Sequence, residues 1–449
     1  MASASRPLVA LTFALVLATS LRAQTPPPPL RLSFADAVRQ ATGQTQAAPP
    51  SVTIAGFRAD AAAARVRQVR SGLLPDLAVT GSWVNRSFNS KTLGFEFPGP
   101  VVIPTRIGPF SAYDGRARLT QTIFDFSNLG RVNAAKGQVR AATAERSAVV
   151  EASAQNVALA YARAVRAQAV VNARGADSAL AAELVGLAVA QQKAGVSASI
   201  DVTRARTQLA EAAGQLVVAE NQLDRAKIDL ARALGLDPAT PIVLTDTLTA
   251  QLGAADVPAD RDAAMVQAVT ARPDLAAEIA RGAAARTAAS AISAERLPRL
   301  DLEADYGLSG VRMPDAITTR QVAVQVTLPI LDGFRREGRL AEQQTVVRES
   351  DVRQKDLRQQ VAADVDGALL DLRSAAARQM ISADRLQLAA QEVSEARQRF
   401  RAGVAGNIEV INAQSSLLRA RDADIDARFA AVTARISLAR SVGSARTLH

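Results

Sequence analysis

Between residues 202 and 233, apolar side chains recur every seven positions at Val202, Leu209, Leu216, Leu223 and Leu230, and alanines follow three positions later at Ala205, Ala212, Ala219, Ala226 and Ala233. Two staggered heptad rows predict an α-helix packed lengthwise on a neighbour, and the alanine row lets the neighbouring backbone come close. The same period returns at Ile411, Leu418, Ile425, Val432 and Ala439, joined by Phe429 and Ile436. Helices are therefore expected over 199–234 and 407–442. Two longer ones precede them, over 128–193 and 334–401. The first would span roughly 100 Å at the α-helical rise per residue, too long for a small domain, so each pair predicts an extended hairpin.

Four other stretches alternate with a period of two. In "RLDLEADYGL" (299–308), Leu300, Leu302, Ala304, Tyr306 and Leu308 interleave with Asp301, Glu303 and Asp305, so one strand face is apolar and the other acidic. In "QVAVQVTL" (321–328) the apolar face is Val322, Val324, Val326 and Leu328. The pattern is weaker at Leu77, Val79 and Trp83, and at Ala117, Leu119 and Ile123. Strands are expected over 73–84, 112–124, 297–309 and 319–331, with a long loop at 84–115. Leu74-Pro75 and Leu297-Pro298 mark where helix gives way to strand.

The chain repeats itself. A shift of 208 positions aligns "AGVSASIDVTRARTQL" (194–209) with "AGVAGNIEVINAQSSL" (402–417), and the register holds to "LARALG" (230–235) against "LARSVG" (438–443). Upstream, "TIFDF" (122–126) meets "PILDG" (329–333), and "GLLPDLAVTGSW" (72–83) resembles "ERLPRLDLEADY" (295–306). The same order of elements in both halves implies an internal duplication. The organisation expected is a first repeat over 24–235 with its tip at 194–198, and a second over 263–443 with its tip at 402–406. A Pro-rich segment, 236–262, links them and should pack outside the helices, and 444–449 is a short tail. Gly195 and Gly403 can adopt the left-handed conformation that ends a helix.

Composition narrows the class. Aromatics are only 4% of the 449 residues and alanine dominates the apolar fraction, which suits long, closely packed helices and not an aromatic-rich core. Arg6 followed by "PLVALTFALVLATSL" and Ala23 reads as a secretory signal peptide over 1–23, too short in its apolar run to span a membrane as a helix. "TPPPP" (25–29) follows as a lead-in. The formal charge of +10 stays positive without residues 1–23, but acids intersperse the basic residues and no patch for nucleic acid emerges. A leucine-zipper DNA binder needs a basic region before its leucines, and only Arg204 and Arg206 stand there.

With no cysteine and His449 as the sole histidine, there is no disulfide framework, no His-based triad and no His/Cys metal site. No enzyme, cofactor or metal is expected. An alternating strand by itself reads first as a half-buried soluble sheet, and context reverses that reading. In an exported chain, strands of about ten residues with a polar second face and the aromatics Trp83 and Tyr306 fit a transmembrane barrel. Four strands cannot close, and an open edge in lipid leaves backbone groups unpaired. Two copies would give eight strands, too narrow for a conduit, and three would give twelve.

These motifs together carry a resemblance. "LLPDL" and "RLPRL" entering paired strands, "TIFDF" and "LPILDG" leaving them, and the tips "KAGVSASIDVTRARTQL" and "RAGVAGNIEVINAQSSL" resemble the TolC-like outer-membrane efflux protein family, from about Leu32 to Gly443. The resemblance implies a mixed α+β membrane protein. Long antiparallel helical hairpins would form a coiled-coil tunnel through the periplasm, and four transmembrane strands per chain would complete a twelve-stranded β-barrel of a homotrimer in the outer membrane. The implied partners are a periplasmic membrane-fusion adaptor and an inner-membrane pump, in an efflux or type I secretion system. The rival reading is a periplasmic coiled-coil adaptor, which normally carries one hairpin within soluble β domains.

The resemblance also implies roles at the tips. Adaptor hairpins would dock around Ala194, Gly195, Val196 and Ser197 in one half and around Ala402, Gly403 and Val404 in the other, where larger side chains would hold a partner backbone away. The ring of two acids that narrows the entrance in the family falls on Glu409 and Asn412, so one acid is retained and one is replaced by a neutral amide. Asp201 stands where an acid can latch the closed state, but the expected basic partner position holds Ala405. As helix N-terminal acids, Glu409 and Asp201 equally suit the helix dipole. An entrance less tightly latched and less cation-sensitive than in a double-acid member is expected.

Overall fold

The computed structural model describes residues 29–43, 48–94, 104–249, 251–253, 257–258 and 260–449. The expected signal peptide, all but the last residue of the 25–29 lead-in, residues 95–103 of the long inter-strand loop, and 250, 254–256 and 259 of the linking segment lie outside the described residues. The chain begins with β1 (Leu30–Leu32), α1 (Phe34–Ala41) and α2 (Pro50–Ser71), then the hairpin of β2 (Asp76–Asn89) and β3 (Arg106–Phe124). The long helix α3 (Phe126–Lys193) and its return α4 (Ser199–Leu234) follow, and β4 (Ile242–Leu244) leads into α5 (Arg261–Ala271) and α6 (Pro273–Ala294). The order then recurs as β5 (Arg299–Gly310), β6 (Ile317–Thr327), α7 (Arg335–Arg401) and α8 (Asn407–Ser441).

Strands β2, β3, β5 and β6 form one antiparallel sheet in that spatial order, so the central pairing, β3 with β5, joins the two halves of the chain. The register collects side chains by chemistry. Leu77 lies opposite Leu119, Leu119 opposite Ala304, and Ala304 opposite Val322, giving an apolar row across all four strands. On the other face Ala78, Arg118, Asp305 and Gln321 form the corresponding row. That face is internally bonded: Arg116 pairs with Asp114 at 2.6 Å and Asp305 at 2.8 Å, and the Thr122 hydroxyl donates to Asp301 at 3.0 Å. The apolar face is uncovered within the chain, where Leu77, Val79, Trp83, Tyr306, Val322, Val324 and Val326 are each at least 61% exposed.

The first-half strands run further than the alternation indicates. β2 continues to Asn89 and β3 starts at Arg106, so much of the stretch expected as loop at 84–115 is paired backbone. The extension, "NRSFN" (85–89) on the β2 side, has a single apolar residue, Phe88, which packs edge-on against Phe110 of β3. A ladder held by backbone hydrogen bonds, with neither face buried, leaves no period in the side chains to read.

Helix α3 starts where Asp125 accepts hydrogen bonds from the backbone N–H groups of Ser127 (2.8 Å) and Asn128 (3.2 Å), as an N-cap acid does. Along α3, glycine permits contact with α6: a Cβ on Gly130 or Gly137 would lie 2.7 or 2.8 Å from the Cβ of Ala291 or Ala284. In α4 both rows are buried in part: Ala205, Ala212 and Ala219 of the alanine row, and Val202, Leu223 and Leu230 of the other, while Leu209 and Leu216 are only half-buried. Val217, Val218 and Ile228 point outward and find no cover within the chain. Among the described residues no helix is long and apolar enough to cross a membrane.

A separate core sits about halfway along α3, where α4 ends. β1 pairs in parallel with β4, which brings the N-terminal segment onto the segment linking the halves. The buried Tyr161 hydroxyl of α3 lies 2.9 Å from the Leu32 carbonyl and 2.8 Å from Asp246, and Asp246 also accepts from the Phe34 N–H at 2.6 Å. Glu151, fully buried on α3, accepts from the backbone N–H groups of Ala445 and Arg446, both at 3.1 Å, and so fixes the C-terminal tail. Burial pushes the Glu151 carboxyl up, against the pull of Arg446 and Arg440.

Candidate functional site at the helical tips

Both hairpins turn with the same backbone device. At the first, the Gly195 N–H donates to the Gln192 carbonyl and the Val196 N–H to the Gln191 carbonyl, each at 3.0 Å. At the second, Gly403 donates to Phe400 at 3.1 Å and Val404 to Arg399 at 3.0 Å. This paired bonding is the Schellman closure, which needs a left-handed residue after the cap. Gly195 (φ 73°) and Gly403 (φ 69°) supply it. A Cβ on either would meet nothing within 4 Å among the described residues, so the backbone angle, and not crowding by them, demands glycine here. Ala194 and Ala402 are the C-caps, and Val196 and Val404 project with 71% and 72% exposure.

Beneath the tips the two hairpins pack on each other. Leu184 and Ala188 of α3, Val202 and Ala205 of α4, Val393, Ala396 and Phe400 of α7, and Val410, Ala413 and Leu417 of α8 form one buried cluster. Polar groups stitch its rim. Gln191 donates to the Phe400 carbonyl at 2.7 Å, and Glu183 of α3 pairs with both Arg397 and Arg401 of α7. Further along, Arg174, Asp177, Arg421 and Asp422 make a four-membered charge network between α3 and α8.

The residues singled out from sequence divide into those with partners and those without. Ser197 donates its hydroxyl to Asp201 at 2.8 Å, and Arg204 approaches the same carboxylate at 3.8 Å. Glu409 is paired with Arg399 of α7 at 3.4 Å. Asn412, one turn further along α8, is exposed. With Ala405 in the expected basic position, a tie at Asp201 is made differently: the Asn407 side-chain N–H donates to the Asp201 backbone carbonyl at 2.7 Å. Asn407 is fully buried, and its carboxamide oxygen has no hydrogen-bond partner among the described residues. Sequence reasoning missed Asn407, Arg399, Gln191 and Glu183. The spacing within each hairpin carries no sign of them, because each works across two helices.

Two segments, 42–236 and 264–444, match the family model described as outer membrane efflux protein. The chain belongs to the outer membrane efflux protein family. Its place is therefore the outer membrane. Among curated relatives, Protein CyaE of Bordetella pertussis is 29% identical over 296 residues, covering 65% of this chain and 62% of that one. The pyoverdine export outer membrane protein OpmQ of Pseudomonas putida is 26% identical over 281 residues, covering 61% and 57%. The match thus spans less than two thirds of the length of either relative. Among solved structures, the outer membrane protein VceC of Vibrio cholerae superimposes with a TM-score of 0.76 at 21% identity, covering 91% of this chain and 96% of that one. In this efflux protein the tips are the ends of the helical hairpins furthest from the sheet.

Proposed function

We propose that this efflux protein is one protomer of a homotrimeric outer-membrane conduit, whose helical part crosses the periplasm to receive cargo from an inner-membrane pump through a periplasmic adaptor. The observation that carries the reading is the four-stranded sheet. It has one continuous apolar face, exposed within the chain, and edges at β2 and β6 that pair with no other strand among the described residues. Lipid tolerates apolar side chains but no open edge, so β2 of one copy pairs with β6 of the next. Three copies give twelve strands, with the row of Arg118, Asp305 and Gln321 lining the water-filled side. The uncovered Val217, Val218 and Ile228 of α4 meet the neighbouring copy in the same assembly.

At the other end the tips receive the adaptor. Ala194, Gly195, Val196 and Ser197, with Ala402, Gly403 and Val404, offer two small, similar turns per protomer and six per trimer, which accounts for a turn written twice. Glu409 narrows the entrance as a ring of three carboxylates, Asn412 adds no charge, and Asp201 belongs to the latch through its carbonyl. The protein conducts and catalyses nothing. The relative OpmQ, a pyoverdine export outer membrane protein, supports a role in export.

The deciding experiment is single-channel recording of the detergent-purified protein in planar bilayers beside its native mass. A trimer mass with discrete conductance that multivalent cations block is the expected result. A detergent-independent monomer without conductance overturns the conduit.

A further inference from the structure

At the foot of the sheet, where β3 runs into α3 and β6 into α7, lies a cleft of about 560 Å³. Five arginines line it, Arg131, Arg299, Arg335, Arg336 and Arg339, against three acids, Asp125, Glu295 and Asp332. The acids are already engaged. Asp125 caps α3, Glu295 is shared between Arg131 at 2.8 Å and Arg339, and Asp332 accepts from the Arg336 backbone N–H at 3.2 Å. Asp332 is 3.6 Å from the nearest Arg336 guanidinium nitrogen, beyond hydrogen-bond reach. Arg299 is paired with Asp301 at 3.1 Å, so five arginines meet four acids and an excess of one positive charge is left.

Two buried donors in this wall have no acceptor. The Ser127 hydroxyl oxygen and Arg336 Nε, in residues 2% and 5% exposed, find no hydrogen-bond partner among the described residues. Buried donors are rarely left so, because losing water without gaining a partner is costly. The first turn of α7 also faces this place, where the Asp332 carboxylate meets one of its free N–H groups, that of Arg336. A single neutral acceptor would satisfy one donor and leave the charge. An ion with several oxygens answers both.

We propose that this cleft binds an oxyanion of the phosphate class, with Arg336 and Ser127 as the buried donors and Arg335 at the mouth. Arg299 pairs across the sheet with Thr327, and Thr122 with Asp301, which sets the mouth on the polar face of the sheet and away from the apolar one. The occupant is therefore a solute in water, inorganic phosphate or the phosphate group of a small dissolved molecule, and not a lipid headgroup. The site rests on the cleft alone and stands whether or not three chains form a conduit.

The test is isothermal titration calorimetry of the detergent-purified full chain with inorganic phosphate, against chloride at matched ionic strength. Saturable binding is expected, weakened about tenfold or more by Arg336→Gln and by Ser127→Ala, the loss of one charged or buried hydrogen bond. Arg286→Gln, outside the cleft, leaves it unchanged. Should Arg336→Gln fail to fold, Ser127→Ala and the exposed Arg335→Gln carry the test. Absence of saturable phosphate binding, or affinity unchanged in Ser127→Ala and Arg335→Gln, overturns the site. Native mass spectrometry separates the sources: retention of phosphatidylglycerol that depends on Arg336 and resists inorganic phosphate overturns the solute assignment.

Discussion

The Asn407 carboxamide and the Asp201 carbonyl meet at 2.7 Å, which ties the first residue of one return helix to the first turn of the other. The bond lies inside a protomer, between the two hairpins. Its amide oxygen is left unpaired in a fully buried site, so this contact is made at a cost.

Asn407→Ala removes the tie and the orphaned oxygen together. The expected net loss is about 1 kcal/mol, the typical worth of one intramolecular hydrogen bond. The effect should be local, read as faster amide hydrogen exchange in the first turns of α4 and α8 with exchange at Glu151 and Tyr161 unchanged. Unchanged exchange at both tips would show that the apolar cluster around Phe400 alone holds the hairpins together.

Arg399 lies 3.4 Å from Glu409 and partly neutralises it. Arg399→Ala should strengthen block of single channels by a multivalent cation and Glu409→Gln should weaken it. Each effect is expected to be about two- to fivefold, what an exposed ion pair of 0.5–1 kcal/mol gives. Equal block in all three proteins would remove Glu409 from the entrance.

Gly195→Ala and Gly403→Ala place a Cβ on left-handed residues with φ near 70°. Each should cost about 1–2 kcal/mol of local stability, although the space around both glycines is open. Ala194→Gln, at a right-handed C-cap, should leave stability unchanged. If the tips dock an adaptor, that variant lowers adaptor capture nonetheless, and unaltered capture would place the docking surface elsewhere.

Asp274 connects α6 with the Arg272 side chain, which is buried and also reaches Asp364 at 2.8 Å, and Arg440 lies 4.0 Å away. Burial pushes the Asp274 carboxyl up, but the Arg272 guanidinium at 2.7 Å outweighs it and holds the carboxyl below the usual carboxylate range. A depressed folded value stabilises the fold fully above the unfolded pKa of about 3.9, and the contribution is lost as the pH falls through the lower value. Thermal unfolding temperature should therefore decline below about pH 4, and less steeply in Asp274→Asn. Parallel slopes for the two proteins would place the acid sensitivity elsewhere.

Much of the architecture was legible because each element has a surface to declare. The alternation of Leu300, Leu302 and Ala304 with Asp301 and Glu303 reports a sheet with two unlike faces. The extensions of β2 and β3 show no regular alternation, since their pairing rests on backbone groups that every residue carries. At the tips, Gly195 and Gly403 were visible as turns, while the partners of Asp201 and Glu409 were not. The absence of a basic residue at Ala405 suggested a missing latch, and the structure supplies a different tie through a carbonyl, a group with no signature in the side-chain sequence.

The sequence by itself determined the helices, the strand faces and the two tips, because periods of 3.6 and 2 are set by local geometry and by which positions are buried. Only the tertiary structure decided that Asn407 meets Asp201, that Glu183 meets Arg397 and Arg401, and that Ser127 and Arg336 open onto one cleft. These pairings depend on the phase of long helices relative to one another. One residue of slip turns a side chain by about 100° around its axis, and no local pattern fixes that phase until the helices pack.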